Sequence, residues 1–314
     1  MSDDEEYLIS YCNIKSGLIK YQKDFANKNI IEKFYQNPYM GFPICLPVGI
    51  KYFDYKNSIF FKIDNKKFSK KIFNTDNLDY VGNSKFFRYG NIFASNVLLK
   101  KKYIEKYKFY IKNFDFIKKK IGQFKKKNKK ICSMQIRNAP HFGHEAIFKF
   151  LIKRFDILVL NPIFGIKKKN DFNNKIISLS LKFMEKKYPK IIFLPLWSSF
   201  HYAGPREALH HMNLREKLNF DFFYIGRDHA GAQNIYKVDA ASKLSKIYKD
   251  KFIIKSITSR GGYYCKKCKD YVIKGTCRHN DLLNISGTEF RLSLKNNKKY
   301  VHADKKLQNL IING

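Results

Sequence analysis

One short segment of the sequence, Gln135 to His144, contains two histidines and an arginine. An apolar run, Ile131 to Met134, precedes it, and apolar residues at helical spacing follow it, so we predict a strand that turns into a helix. A helix N-terminus presents unpaired N–H groups and the positive end of the helix dipole to an anion. The spacing of His141 and His144 places both on one face of the first turn. The segment therefore favours a phosphate site, although capping and packing alone would also explain a His-x-Gly-His pattern.

A second segment of the same kind, Gly226 to Gly231, follows the apolar run Phe222 to Ile225. In an open parallel sheet the loops at the carboxyl ends of the strands share one edge, so the two segments can contact one ligand. The guanidinium of Arg227 suits phosphate or sulfate. Asp228 as a helix cap and His229 as a packed residue remain open alternatives.

These two segments and three others, in the same order along the chain, resemble the motifs of the ATP sulfurylase (sulfate adenylyltransferase) family. The matching residues are Gln135, Arg137, Asn138, His141 and His144, then Asn161 to Gly165 with Lys168 and Asp171, then Ala203 to Ala208, Gly226 to Gly231, and Ile285 to Arg291. The resemblance covers most of the second half of the chain. It implies an enzyme, a nucleotidyltransferase, that converts ATP and sulfate into adenosine 5′-phosphosulfate and pyrophosphate by reversible, direct in-line transfer.

The resemblance also implies a role for each loop residue. The catalytic residues would be Arg137, Asn138, His141 and His144. Sulfate would bind to Gln135, Arg137, Arg227 and Ala230. The nucleotide would bind to Gln135, Asn138, His141, His144, Gly226, Arg227, Asp228 and His229. Sulfate needs no general base, so the protein has to align two anions and stabilise the leaving pyrophosphate. We expect Mg²⁺ to arrive with ATP, because these motifs contain no carboxylate cluster.

Three positions depart from the family pattern. Ile136 stands where threonine is usual, Ala139 replaces a proline, and His201 replaces an arginine. The sulfate and phosphate donors remain, so we expect activity, with an inactive homologue as the alternative.

A second site is predicted by cysteine spacing. A Cys-x-x-Cys pair is followed after eight residues by Cys-x-His, which offers three thiolates and an imidazole for tetrahedral structural Zn²⁺. The ligands would be Cys265, Cys268, Cys277 and His279. A redox pair is the alternative, while some relatives in the family carry a similar knuckle. The remaining cysteines, expected to be small buried hydrophobes, are Cys12, Cys45 and Cys132.

The charge of the chain suggests a rival function. The 62 lysines and arginines exceed the 26 acidic residues and give a net charge of +36, at which nucleic-acid binding has to be considered. The lysines are spread along the chain, as a genome rich in A and T would produce. Nucleic acid is therefore not expected as a partner, and a basic, PUA-domain nucleic-acid-binding protein remains the alternative.

The pattern of apolar runs changes along the sequence and predicts that the chain has three parts. Residues 1–122 read as a β-rich, PUA-like domain ending in a helical connector, residues 123–255 as a Rossmann-like nucleotidyltransferase domain with a parallel α/β sheet, and residues 256–314 as a zinc knuckle with a helical tail. The strands predicted for the first two parts are Phe42 to Val48, Ser58 to Ile63, Ile157 to Leu160, Ile191 to Leu196 and Phe220 to Ile225. The predicted helices are Tyr103 to Phe116, Asn173 to Lys187, Pro205 to Lys217 and the tail from Leu282 to Gly314.

Composition sets the remaining expectations. With 44% hydrophobic residues, an acidic start and no long apolar run, we expect a globular cytoplasmic protein that does not contact a membrane. No Gly-x-x-x-x-Gly-Lys-Ser/Thr loop occurs, so no attached kinase is expected. The resemblance implies a homo-oligomer with a role in sulfate assimilation or sulfur metabolism. The direction of the reaction depends on partner enzymes.

Overall fold

A computed structural model describes residues 3–167, 171–227, 229 and 231–313. The strands are β1 (Leu46–Pro47), β2 (Phe53–Asp54), β3 (Ile59–Lys62), β4 (Ile92–Ser95), β5 (Leu98–Leu99), β6 (Ile131–Met134), β7 (Ile157–Leu160), β8 (Ile163–Phe164), β9 (Ile191–Phe193), β10 (Leu196–Trp197), β11 (Phe222–Ile225), β12 (Lys255–Thr258), β13 (Gly262–Cys265), β14 (Asp270–Ile273) and β15 (Leu282–Asn284). The α-helices are α1 (Glu5–Lys15), α2 (Lys28–Gln36), α3 (Asn65–Phe68), α4 (Val81–Phe86), α5 (Ile104–Lys125), α6 (Phe142–Ile152), α7 (Asn174–Lys187), α8 (Pro205–Lys217), α9 (Ala240–Ile247), α10 (Gly287–Lys295) and α11 (Lys305–Ile312).

The central sheet is parallel and has the strand order β12-β11-β6-β7-β9. From β6 the chain moves outward through β7 to β9, then returns to the other side of β6 to form β11 and β12. The loops that leave the carboxyl ends of β6 and β11 therefore run in opposite directions and open a crevice between them. The predicted parallel α/β fold is confirmed. Its strands are short apolar runs because the sheet is covered on both faces.

Most elements predicted for the middle of the chain lie where expected. β7 and α8 have the predicted bounds, and α8 begins with Pro205, which favours the first turn. α7 begins one residue after Asn173, whose side chain caps it by accepting the N–H of Ile176 at 2.9 Å. The run from Ile191 to Leu196 is divided, since β9 joins the central sheet and β10 pairs instead with β8.

The region before α5 is mixed rather than mainly β. It contains α1 to α4 beside five short strands, of which β1 and β3 both pair with β4 and not with each other. α1 has Glu5 and Glu6 in its first turn and Lys15 in its last, a distribution that complements the helix dipole. The predicted helix that starts at Tyr103 continues to Lys125 as α5.

The last part of the chain corrects one prediction. Leu282–Asn284 was expected in a helical tail but forms β15, which pairs antiparallel with β13. Pairing with an existing strand overrides the local preference of this segment. β13 and β14 also pair antiparallel, so the three strands form a small sheet in the order β14-β13-β15, which we call the C-terminal hairpin sheet. α10 and α11 follow it and are the helical part of the tail.

Two hydrophobic cores lie on the faces of the central sheet. One joins the N-terminal helices, α5 and α8 to the sheet and includes Ile117 and Val159, both fully buried. The other joins α6, α7 and the last two helices and includes Leu158 and Phe290, also fully buried. The three cysteines expected to be buried lie inside these cores, as predicted: Cys12, Cys45 and Cys132. None of the helices in the described part combines the length and apolar character that a membrane span requires.

Candidate active site

A cavity of about 300 Å³ opens where β6 and β11 end. Met134 and Tyr224, which are register partners near the ends of these strands, form its floor together with the loops that follow them. The predicted site residues among its described lining are Gln135, Arg137, Asn138, His141, His144, Gly226, Arg227 and His229. The structure thus brings the two predicted segments to one cavity, at the switch point of the sheet.

The two histidines of the first segment stack at the start of α6. Their ring centroids lie 3.9 Å apart, and the backbone N–H of His141 donates to Nδ1 of His144 at 3.3 Å. Nδ1 of His144 is thus the acceptor, which leaves the proton of a neutral ring on Nε2. Desolvation lowers the pKa of His144 to about 4 and, with the charge of His144 as a second cause, lowers the pKa of His141 well below its usual value. Both rings are therefore neutral hydrogen-bond donors or acceptors near pH 7.

Arg137 connects the two segments directly. Its Nη2 donates to the backbone carbonyl of Gly231 at 3.2 Å. Its Nη1 is buried and has no hydrogen-bond partner among the described residues. Nδ1 of His141 is likewise buried and unpartnered within the described part of the chain. Unpaired polar atoms of this kind are rare in protein interiors and indicate a place for a ligand or water.

Arg227, on the opposite wall, is held by the C-terminal hairpin sheet. Nη1 donates to the hydroxyl of Tyr263, and Nη2 donates to Oδ1 of Asn284 at 2.9 Å. The guanidinium carbon lies 5.2 Å from the ring centroid of Tyr263, within cation–π range. The predicted anion-binding guanidinium is therefore already oriented by neutral groups.

A third arginine lines the cavity and was not singled out from the sequence as a site residue. Arg291 of α10 donates from Nη1 to Oδ1 of Asn138 and from Nη2 to the hydroxyl of Thr288 at 3.1 Å. Partial burial, with the charge of Arg137 as a minor cause, lowers the pKa of Arg291. The sequence did point to Arg291, because this residue is the last of the motif Ile285 to Arg291, which resembles the family.

Buried groups on α8 support the second segment from behind. Glu207 accepts the backbone N–H groups of His201 at 3.0 Å and Ala203 at 2.9 Å, and burial raises the pKa of Glu207 to about 7. Nε2 of His211 lies 3.5 Å from the Glu207 carboxylate, and its Nδ1 lies 2.9 Å from Nε2 of His229. Burial lowers the pKa of His229 to about 3. The cavity-lining ring of His229 is thus held by its hydrogen bond to His211, whose Nε2 lies near Glu207 without forming a hydrogen bond among the described residues.

Two arginines of α8 connect this helix and its buried groups to other parts of the fold. Arg206 donates from Nη1 to the carbonyls of Phe34 at 2.9 Å and Gly41 at 2.7 Å, so the motif Ala203 to Ala208 connects the N-terminal region to the second segment. Arg215 is fully buried and donates to the carbonyl of Asn161 at 2.7 Å. Burial lowers the pKa of Arg215 to about 9.

The remaining predicted residues are placed as follows. Ile136, one of the departures from the family pattern, is buried at the cavity floor with 4% of its surface exposed. His201, another, is half-buried, with its ring centroid 4.0 Å from that of Phe42. Asp228 and Ala230, predicted for nucleotide and sulfate, lie outside the described residues, as does Lys168.

The cysteine and histidine ligands predicted for zinc come together at the tip of the C-terminal hairpin sheet. The ligand atoms of Cys265, Cys268, Cys277 and His279 all lie within 4.8 Å of one another. Sγ of Cys268 is 3.4 Å from Sγ of Cys277 and 3.2 Å from Nδ1 of His279. Zinc–sulfur bonds of about 2.3 Å in a tetrahedron would separate two sulfurs by about 3.8 Å. The cluster is therefore compatible with a tetrahedral metal.

Comparison with known proteins decides the family. The ATP-sulfurylase family model matches residues 118–303, which is more than half of the 314-residue chain. The chain belongs to the ATP-sulfurylase family. The matched region contains both loops of the cavity and the four cysteine and histidine ligands of the hairpin sheet.

Curated relatives agree with this family membership. The sulfate adenylyltransferase of Ignicoccus hospitalis is 32% identical over 248 residues, which cover 76% of this chain and 63% of that protein. The sulfate adenylyltransferase of Pyrococcus abyssi is 35% identical over 182 residues, covering 56% of this chain and 48% of that protein. The chain therefore matches between about half and two thirds of the length of these ATP-sulfurylase relatives.

A solved structure supports the fold alone. The hexameric APS kinase from Thiobacillus denitrificans aligns with a TM-score of 0.62 over 98% of this chain and 61% of that protein, at 11% sequence identity. At such low identity the likeness concerns architecture and not chemistry.

Proposed function

We propose that this ATP-sulfurylase family member is a sulfate adenylyltransferase, in which a sulfate oxygen attacks the α-phosphorus of ATP and expels pyrophosphate. The observation that carries the proposal is the charge of the cavity. Three arginines and three histidines line it, and no carboxylate is present among its described lining residues. A cavity of this composition is suited to bringing two polyanions together, which is the main obstacle to the reaction.

The two walls have different proposed tasks. Arg137, with a free buried Nη1, and Gln135 beside it would bind sulfate together with Arg227 and Ala230. Because sulfate is already ionised, no side chain has to remove a proton from it.

The nucleotide contacts proposed here are Asn138, His141, His144 and the segment Gly226 to His229. The neutral rings of His141 and His144 would hydrogen-bond the phosphates and stabilise the charge that develops on pyrophosphate. Arg291 orients Asn138 through a hydrogen bond and would add a positive charge near the pyrophosphate. The catalytic set is therefore Arg137, Asn138, His141 and His144.

We infer that Mg²⁺ enters with ATP and is not held by a protein cage. The described lining offers no carboxylate, the ligand that Mg²⁺ prefers. The ion, when bound to the nucleotide, would neutralise phosphate charge. The chain's own residues would supply the remaining positive charge and the alignment.

We also propose that the cluster of three cysteines and His279 binds structural Zn²⁺. Four ligands fill a tetrahedral site and leave no position for a substrate. Metal analysis of protein purified without chelator should give about one zinc per chain, and Cys268→Ser should lower that content. Metal-free protein with an intact hairpin sheet would contradict the assignment.

We also propose how the chain is divided into domains. We retain residues 1–122 as an N-terminal domain, residues 123–255 as the nucleotidyltransferase domain and residues 256–314 as the zinc-bearing segment. The three-stranded sheet of β1, β4 and β3 is what supports a PUA-like character for the first of these. A cytoplasmic homo-oligomer with a role in sulfur metabolism fits the family.

The test uses purified full-length chain with ATP, radiolabelled sulfate and Mg²⁺, in the presence of pyrophosphatase. We expect labelled adenosine 5′-phosphosulfate to form in a Mg²⁺-dependent reaction, with two inorganic phosphates released per product because the pyrophosphatase hydrolyses the pyrophosphate. Failure to form the product, combined with tight binding of RNA near physiological salt, would instead favour the nucleic-acid-binding alternative.

A further inference from the structure

The C-terminal hairpin sheet is positioned to act on the cavity and not only to bind a metal. Tyr263 on β13 and Asn284 on β15 are register partners across the antiparallel pair. Directly opposite residues of this kind have neighbouring side chains on the same face of a sheet. Arg227 donates one hydrogen bond to each of these two side chains, and so one to each strand. The two strands therefore form a single cradle for one guanidinium.

A second contact fixes the hairpin sheet to the first loop. Gly262, at the start of β13, lies so close to Gly143 that a Cβ on Gly262 would be 2.0 Å from the Gly143 carbonyl oxygen. Gly143 belongs to the first turn of α6, between the two cavity histidines. Close backbone contact of this kind leaves little freedom for β13 to shift relative to the cavity.

We propose that Tyr263 and Asn284 are positioning residues, which hold the guanidinium of Arg227 at the angle needed to bind the anionic substrate. This inference rests on the proposed function, since it assigns Arg227 to sulfate. A guanidinium has five N–H donors in a rigid plane. The hydrogen bonds to Tyr263 and Asn284 use two of these donors and fix the plane of the Arg227 guanidinium. The other donors stay available to an anion. Because both acceptors are neutral, the positive charge is not neutralised.

The expected kinetic signature is specific to one substrate. Tyr263→Phe removes the hydroxyl but keeps the ring, and Asn284→Ala removes the second acceptor. Each should raise the KM for sulfate by about tenfold, the effect typical of losing a hydrogen bond to a charged group. Arg227 is also assigned to the nucleotide, but ATP keeps its contacts to Asn138, His141 and His144, so its KM should change less than about twofold. The value of kcat should also change less than about twofold, because orientation lost in both the ground and transition states appears in KM.

Three controls separate positioning from a structural effect. Tyr264→Phe is the same substitution on the next residue of β13, whose ring packs on Tyr271 and His302 and not on Arg227, and it should leave both KM values unchanged. Asn284→Gln keeps a neutral amide acceptor and should restore the position of Arg227 better than Asn284→Ala does. In an Arg227→Lys background, Tyr263→Phe should have little further effect, because a lysine ammonium has no rigid donor plane for the acceptors to orient.

The experiment measures steady-state kinetics of the full chain for both substrates, the melting temperature of each variant and calorimetric binding of adenosine 5′-phosphosulfate. A selective rise in the KM for sulfate, without a large fall in melting temperature and with non-additivity against Arg227→Lys, is the result expected. If Tyr263→Phe and Asn284→Ala match the wild type, or if they lower melting temperature and kcat for all substrates together, the inference is overturned. A wild-type chain that neither turns over nor binds adenosine 5′-phosphosulfate would instead contradict the proposed function.

Discussion

The two walls of the cavity are built by different physical means. The first wall, at the start of α6, consists of stacked histidines whose charge is suppressed by desolvation. The second wall presents Arg227, which is partly exposed and oriented by Tyr263 and Asn284 from another sheet. One wall thus relies on burial and the other on hydrogen bonds supplied by distant residues. The first should be robust to changes elsewhere in the chain, while the second should depend on the C-terminal hairpin sheet.

Arg137 joins the two walls, and its removal should have the largest effect. Its guanidinium contacts the carbonyl of Gly231 and retains a buried nitrogen that has no partner among the residues the structure describes. We expect Arg137→Ala to lower turnover by at least about a hundredfold, as loss of one transition-state contact does. Arg154→Ala is the matched control, because Arg154 lies in the turn after α6, is exposed and packs on Phe150. Near-normal turnover of Arg137→Ala in a steady-state assay would remove Arg137 from the site.

The first wall predicts a kinetic effect and a pH effect from one residue. His144→Ala should lower kcat by about tenfold to a hundredfold and change the KM values less, because its contact forms with the leaving pyrophosphate. Burial lowers the pKa of His144 to about 4, so protonation of this ring should not reduce wild-type kcat between pH 7 and pH 5.5. A pH–rate profile in which kcat falls with an apparent pKa near 6.5, absent from His144→Ala, would show that the ring is not buried as described.

The junction between the walls can be disturbed without touching a polar group. Gly262→Ala would place a methyl group 2.0 Å from the Gly143 carbonyl oxygen, so the hairpin sheet must move away from α6. We expect a loss of about 1–3 kcal/mol in the free energy of unfolding, typical of overpacking, and weaker sulfate binding. Gly122→Ala is the control, since no heavy atom lies within 4 Å of its added Cβ and α5 should gain about 0.5–1 kcal/mol. Chemical denaturation of both variants measures the difference.

The buried histidines also predict how stability depends on pH. Burial lowers the pKa of six histidines: His141, His144, His201, His210, His211 and His229. Below pH about 6.5 the unfolded chain takes up protons that the native rings do not, so stability falls as pH decreases towards about 4. Glu207, whose pKa is raised to about 7, acts in the opposite direction but is one group against six. We expect a loss of at least about 1.4 kcal/mol per pH unit between pH 6 and pH 5, measured by urea denaturation. A flat dependence would contradict neutral burial of these rings.

The sequence was sufficient to predict how the first wall is built, but not to predict the residues that orient Arg227 in the second wall. Apolar runs of four residues and the helical spacing after His141 locate β6, β11 and α6, and parallel-sheet geometry brings their loops together. The acceptors for Arg227 could not be predicted in this way. Tyr263 stood in the part predicted only as a zinc knuckle, and Asn284 in a segment expected to be helical, because β15 exists only through its pairing with β13.

The most direct test of the central claim is pyrophosphate-dependent formation of ATP from adenosine 5′-phosphosulfate, measured with the purified full-length chain and Mg²⁺. This direction is strongly favoured by the chemistry and requires both walls to hold their anions at once. We expect rapid ATP formation by the wild type, a loss of at least about a hundredfold in Arg137→Ala and no loss in Arg154→Ala. No ATP formation by the folded wild-type chain, or equal rates in the two variants, would contradict a site in which two differently built walls align sulfate and nucleotide.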